Sequence, residues 1–227
     1  MLVILTLIEA SGNELRIRLS PRTLSVAERG RTNQHRLASH SPNRMAHTFH
    51  AEQWLPFPTD LVFAFFANPE NLPRLMPAWQ KARIEDVTFA PPPPRPANTP
   101  RLPGIVAGAG TRMTLSFRAF PFSPIRLPWD AEITEFAWND HFCDVQHRGP
   151  FKSWRHCHHL HPAPHTSPTD ETLPGTRLTD QLEYTLPLGP LGTIANILFV
   201  RHQLRSTFRY RQQRTADLLP KFAAVIR

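Results

Sequence analysis

Between Gly149 and His161 the chain reads GPFKSWRHCHHLH, with four histidines and one cysteine in the six residues from His156 to His161. Side chains of these types can hold a transition metal, move a proton near neutral pH, or form the polar wall of a binding pocket. Which applies depends on the side of the backbone each one takes. The run SWRHCHHLH alternates as a strand, sending Trp154, His156, His158 and Leu160 to one face and Arg155, Cys157, His159 and His161 to the other. Trp154 and Leu160 are the apolar members, so their face is expected to be buried and to carry His156 and His158 inward. Arg155, His159 and His161 are expected to face solvent.

Cys157, His159 and His161 are types that zinc accepts. However, neighbours two apart on a strand stand roughly 7 Å apart, and no matching Cys/His pair occurs elsewhere to complete a site. No metal or other cofactor is expected. The adjacent runs fit a pocket better. HFCDVQHR puts Phe142, Asp144 and Gln146 on one face, and LTDQLEYTL does the same for Leu178, Asp180, Leu182 and Tyr184. Each row mixes apolar residues with a few polar ones, as ligand pockets do. A buried Asp144 or Asp180 needs a partner, and His156 or His158 is the natural one. The expected ligand-binding set is Trp129, Phe142, Asp144, Gln146, Trp154, His156, His158, Leu182 and Tyr184. Any catalytic set would come from His156, His158, Asp144, Asp180 and Tyr184.

The elements that must position these residues follow from the punctuation of the chain. HTFHAEQWL alternates as a strand. Pro58-Thr59-Asp60 starts a helix that Asn68-Pro69 stops, PENLPRLM makes a short second helix, and KARIEDVTFA is a strand. Residues 91–104 hold seven prolines and must be an exposed polyproline-like loop rather than an interior strand. Gly108 and Gly110 suit a tight turn. Strands follow in TRMTLSFRAF, WDAEITEFA, HFCDVQHR, SWRHCHHLH and TRLTDQLEYTL, with a polar insertion at 162–174. From LGTIANILFV onward, Ile194, Ile197, Leu198, Leu204 and Phe208 recur near helical spacing. That predicts one long terminal helix, ended near Pro220, whose apolar stripe the sheet grips. The class is α+β, an antiparallel sheet curled around a long helix over an internal cavity.

Residues 1–44 differ from the rest. They carry seven arginines against three glutamates, and PRTLSVAERGRTNQHRLASHSPNR has no apolar period. A disordered or mis-started extension is expected there, with the native start at Met45 and one domain over 45–227, carrying a proline-rich insertion at 90–104. The opening MLVILTLIEA is too short to span a membrane and lacks the basic flank of a signal peptide. Two cysteines are too few for a disulfide framework, so a cytoplasmic protein is expected. Half of the net charge of +8 lies in residues 45–227, and there it gathers at the end, where Arg201, Arg205, Arg209, Arg211, Arg214, Lys221 and Arg227 face only Asp217. Interleaved exposed aromatics and nucleic-acid motifs are missing, so no nucleic-acid partner is expected. Peripheral membrane contact through this basic helix remains open.

The front QWLPFPTDLVFAFFANPENLPRLMP and the order of elements resemble the START-like (SRPBCC) helix-grip superfamily. The runs WDAEI, FCDVQ, GPFKSWRHCH, LTDQLEYTLP and FRYR are similar to its polyketide cyclase/dehydrase branch, over about residues 47–220. That resemblance implies binding of a hydrophobic small molecule, such as a lipid, quinone or polyketide-like metabolite. The chain lacks G-x-S-x-G and H-E-x-x-H, which favours a binder. The alternative is a cyclase or dehydratase using the inward His–Asp set, with Tyr184 donating to an oxyanion. Deleting residues 1–44 should move the melting temperature by less than about 5 °C, since the segment has no apolar face to dock; differential scanning calorimetry of both chains checks this.

Overall fold

The computed structural model describes residues 46–225 apart from 98, 103 and 167–171, so the expectations for residues 1–44 lie outside the described residues. Strand β1 (His47–Leu55) leads into helix α1 (Thr59–Phe66), a single 3-10 turn (Pro69–Asn71), the short helix α2 (Leu72–Leu75) and a second 3-10 turn (Ala78–Gln80). Strands β2 (Arg83–Thr88), β3 (Arg112–Arg118), β4 (Arg126–Ala137), β5 (His141–Arg148) and β6 (Ser153–Pro162) follow. A two-residue pairing of β7 (His165–Thr166) with β8 (Thr172–Leu173) occupies the polar insertion, and β9 (Thr176–Thr185) closes the strands. The chain ends in α3 (Pro190–Ala195), a π-helical turn (Asn196–Val200) and α4 (Arg201–Ala224).

Seven strands form one antiparallel sheet in the order β1-β9-β6-β5-β4-β3-β2, and α4 lies along its concave side. This is the helix-grip α+β architecture. Two apolar clusters join helix and sheet. In the first, Phe63 and Phe65 of α1 pack with Leu75, Phe142, Leu160, Leu178, Leu218 and Leu219. The second gathers Leu182 and Tyr184 of β9 with Leu204 and Phe208 of α4.

The alternation read from SWRHCHHLH holds for the histidines. His156 and His158 are 5% and 3% exposed, whereas Trp154 is only half-buried. On the other face, His161 is exposed but Arg155 and His159 are half-buried, and Cys157 is fully covered rather than open to solvent. Cross-strand pairing explains this correction. Cys143 sits directly opposite Cys157, and the two form a disulfide that the sequence reading did not foresee. The Arg155 side chain lies across it, 3.5 Å from Cys143 Sγ, and is held there by Glu135 at 2.8 Å. The same guanidinium nitrogen thus donates to both the sulfur and the carboxylate, which keeps the arginine head over the disulfide.

The terminal helix departs from expectation at both ends. It passes through Pro220 to Ala224, because proline frees only the carbonyl four residues earlier, and Ala216 is exposed to water. Leu204 and Phe208 are gripped as expected, but Ile194, Ile197 and Leu198 are 53%, 70% and 75% exposed. The π-helical turn advances the register by a residue per turn, so the buried positions become Asn196, Leu204 and Phe208 while the bulky apolar residues turn outward.

The proline-rich loop is exposed for most of its length but anchored. Trp138 donates its indole N–H to Pro93 O at 2.9 Å, and Arg95 covers the same ring at 4.4 Å. Gly108 passes against the Pro91–Pro92 backbone, where a Cβ would collide.

The disulfide closes a loop with a sequence separation of 14. Replacing Cys143 and Cys157 with serine should cost about 3 kcal/mol in urea unfolding under oxidising conditions, and dithiothreitol should produce a similar loss in the parent chain.

Candidate functional site

The inward face of β5, β6 and β9 assembles a polar cluster inside an otherwise apolar interior. Register sets His156 opposite Asp144 on β5 and His158 opposite Asp180 on β9. Asp180 Oδ1 accepts from His156 Nε2 at 2.9 Å. His158 Nδ1 lies 2.7 Å from the same oxygen but out of line for a hydrogen bond, which leaves that buried nitrogen without a hydrogen-bond partner. On its other side, Arg211 of α4 approaches His158 Nε2 to 3.4 Å. Asp144 Oδ2 stands 3.6 Å from His156 Nδ1 and keeps a fifth of its side chain exposed.

These partners set the charges. Burial raises the Asp180 pKa, but Arg211, His158 and the hydrogen bond from His156 outweigh it and hold the carboxyl well below its usual range. Burial also dominates at His158, with help from His156 and Arg211, and lowers its pKa to about 3 despite Asp180. Asp144 goes the other way: burial raises its pKa, and His156 and Arg211 only partly offset that. The interior therefore holds one firm carboxylate, one neutral imidazole and one carboxyl whose pKa burial raises. This is an acid–base asymmetry of the kind functional sites use.

Aromatic rings line the same interior. Trp129 meets Trp154 edge to face at 5.0 Å, Phe151 lies 4.7 Å from Trp154, and Phe208 faces His156 at 5.7 Å. Phe66 and Phe142 flank His158 at 5.8 and 4.5 Å. Trp129, Phe151 and Trp154 stay half-buried although they point inward, so solvent reaches this end of the interior.

Not every expected residue joins the cluster. Tyr184 donates its hydroxyl to Asn196 Oδ1 at 2.7 Å, which spends it on anchoring the π-helical turn. Gln146 donates to Phe151 O at 2.7 Å and clamps the turn before β6; its side chain fills the space that a Cβ on Gly149 would take. Phe142 and Leu182 are core. The residue sequence reasoning missed is Arg211, read there only as one of the basic residues gathered at the end of the chain. Its spacing after Leu204 and Phe208 continues the buried stripe, and that signal was available.

Asp144, His156 and His158 each offer a ligand atom within 4.8 Å of the others, a set the sequence reading did not weigh as a metal site. The fit is poor. Each histidine turns one nitrogen to Asp180, and the Arg211 guanidinium already stands at the His158 Nε2 lone pair, opposing a second cation. A cleft of about 370 Å³ lies elsewhere, over β2–β5, and includes Arg112, Asp130 and His147 but no residue of the cluster. It lacks the buried, mutually tuned groups that distinguish the interior.

Such a fold is that of a helix-grip domain of the START-like superfamily. Residues 55–211 match the model of the "Polyketide cyclase / dehydrase and lipid transport" family, and the chain belongs to that family. No curated protein matches it. Among solved structures it is similar to TTHA0849 from Thermus thermophilus, at 17% identity over 74% of this chain and 96% of that one, with a TM-score of 0.49. It is also similar to norcoclaurine synthase from Thalictrum flavum, at 13% identity over 84% and 97% of the two chains, with a TM-score of 0.47. Family and fold support a ligand-binding role. No helix among the described residues is long and apolar enough to cross a membrane.

His158 gives the site a pH signature. An unfolded histidine takes up its proton near pH 6.5, whereas the folded one does so only near 3. Between these values the unfolded chain binds more protons, so stability should fall as pH falls. Asp180 adds to the loss below the ordinary carboxylate value of 3.8, while Asp144 has the opposite sign above it. Urea unfolding from pH 6 to 4 should show the His158→Gln variant less pH-dependent than the parent by up to ~1.4 kcal/mol per unit.

Proposed function

We infer that the protein binds a small molecule with an apolar or aromatic body and an electron-rich head, a carboxylate or conjugated carbonyl, between the sheet and α4. The observation that carries this reading is Arg211. Its Nε is buried without a hydrogen-bond partner, and no carboxylate forms an ion pair with it among the described residues. The guanidinium instead lies 5.3 and 5.8 Å from the Phe66 and Phe208 rings and touches a neutral histidine. A half-buried cation with a buried, unpartnered donor favours an acceptor, and the half-open rings of Trp129, Phe151 and Trp154 suit an aromatic or polyene body. Lipid, quinone and polyketide-like ligands all meet this description.

A second reading has its own support. Asp144, its pKa raised by burial, faces His156 across 3.6 Å, while Asp180 accepts a hydrogen bond from His156. A bound carbonyl compound would find a general acid beside a held imidazole, the minimum for enolisation or dehydration. In that enolisation Asp144 gives its proton to the carbonyl oxygen, the α-proton leaves to water at the half-open end, and Asp144 is reprotonated from that water while His156 holds it in place. Tyr184, tied to Asn196, takes no part.

The charge reading is tested with two fluorescent probes, 1-anilinonaphthalene-8-sulfonate and neutral N-phenyl-1-naphthylamine. Both should quench tryptophan emission in the parent chain. Arg211→Met should weaken the sulfonate by about tenfold, the worth of a charged hydrogen bond, and leave the neutral probe nearly unchanged. Equal affinity of the sulfonate for parent and variant would overturn the role of Arg211.

A further inference from the structure

One side of the terminal helical run is unlike a normal soluble surface. Leu191, Ile194, Ile197 and Leu198 are 60%, 53%, 70% and 75% exposed, and Leu188 just before them is 46% exposed. The β3–β4 hairpin joins this patch, since Phe120 meets Phe199 at 5.8 Å. At its tip Phe122, held at a positive φ of 66°, is 97% exposed, and Ile125 is 48% exposed. Single exposed apolar residues are ordinary, but a contiguous set on two adjoining elements marks an interaction surface.

The same outer stripe changes character along the helix. Positions 194, 197 and 198 are apolar; 201, 202, 205 and 209 continue the spacing as Arg201, His202, Arg205 and Arg209, all exposed. Across the π-helical turn and at 1.5 Å per residue beyond it, Arg201 and Arg205 stand roughly 5 and 11 Å along the axis from Ile197. That matches the ~5–10 Å depth to which interfacial helices bury their apolar residues below the headgroups. No Asp or Glu occurs between Tyr184 and Asp217, or between Arg118 and Trp129. A second copy seated on this patch would bring two acid-free basic rows together. An anionic lipid surface complements both halves of the stripe.

We propose that the β3–β4 hairpin tip and the α3–π-turn segment form a docking surface for anionic membranes, with Phe122, Ile197 and Leu198 inserted among the acyl chains and Arg201 and Arg205 at the phosphate level. The surface stands on its own observations, and it rests on the ligand reading only for its purpose, because an apolar ligand must be drawn from or delivered to an apolar phase. The segment that carries the patch also caps the interior through the Tyr184–Asn196 bond, so docking acts on an element in contact with the site.

The test is co-sedimentation of the full chain with vesicles of phosphatidylcholine alone, or mixed in equal parts with phosphatidylglycerol. The chain should bind the mixed vesicles at least about tenfold more tightly. An Ile197→Ser/Leu198→Ser pair, and separately Phe122→Ser, should weaken that binding several-fold with thermal unfolding unchanged, since these side chains are exposed. Arg201→Glu/Arg205→Glu should abolish the preference for the anionic mixture. Phe122→Ser, a change at the exposed hairpin tip, should bind the neutral naphthylamine probe like the parent, which separates this result from the ligand experiment. Three results would overturn the proposal: no preference for the anionic vesicles, unchanged binding of the tip variants, or a parent dimer in sedimentation velocity that the tip variants dissolve.

Discussion

The arrangement of this interior follows from one buried negative charge. Asp180 sits midway along β9, one strand in from the sheet's edge, on the inward face and 4% exposed, where an unpaired carboxylate would be strongly destabilising. It stays ionised because three side chains answer it: His156 and His158 from β6, and Arg211 from α4. That requirement fixes the rotation of α4 against the sheet, because only one helix face carries Arg211 together with Leu204 and Phe208. It also fixes the histidines, whose remaining nitrogens must then face Asp144 and Arg211. The polar core is a register device as well as a candidate site.

The aromatic shell follows from the same arrangement. His158 lies between Phe142 and Phe66, and His156 between Phe208 and Trp154, so the rings that enclose the histidines also keep water from Asp180. Low dielectric strengthens each interaction inside and makes each unsatisfied atom costly. The partnerless Arg211 Nε is therefore informative, since a ligand acceptor could satisfy it.

At the other end of the helix the physical conflict is reversed. The π-helical turn places Asn196 under Tyr184 and turns Ile197 and Leu198 out to water. A straight α-helix would have kept the apolar stripe continuous and buried. The structure thus combines an interior polar anchor with an exterior apolar surface, joined through one hydrogen bond. Behind the sheet, the Cys143–Cys157 bond ties together the two strands that present Asp144, His156 and His158.

Local pattern alone determined much of this protein. Alternation in SWRHCHHLH and LTDQLEYTL settled which residues share a face, because a strand's period of two leaves no other choice once the apolar members are known. The order of elements and the resemblance of the GPFKSWRHCH and LTDQLEYTLP runs settled the helix-grip class. Whatever depended on partners distant in sequence was decided only by tertiary structure. Asp180 rather than Asp144 became the histidines' firm partner, since sheet register sets the distances. Arg211 turned inward although its composition reads as surface, because the buried charge outweighs the ordinary cost of enclosing a guanidinium. Cys143 and Cys157 paired because two residues 14 apart in sequence, on neighbouring strands, met in register. Ile197 and Leu198 faced outward because a single π-helical turn, invisible in hydropathy, shifted the helix face.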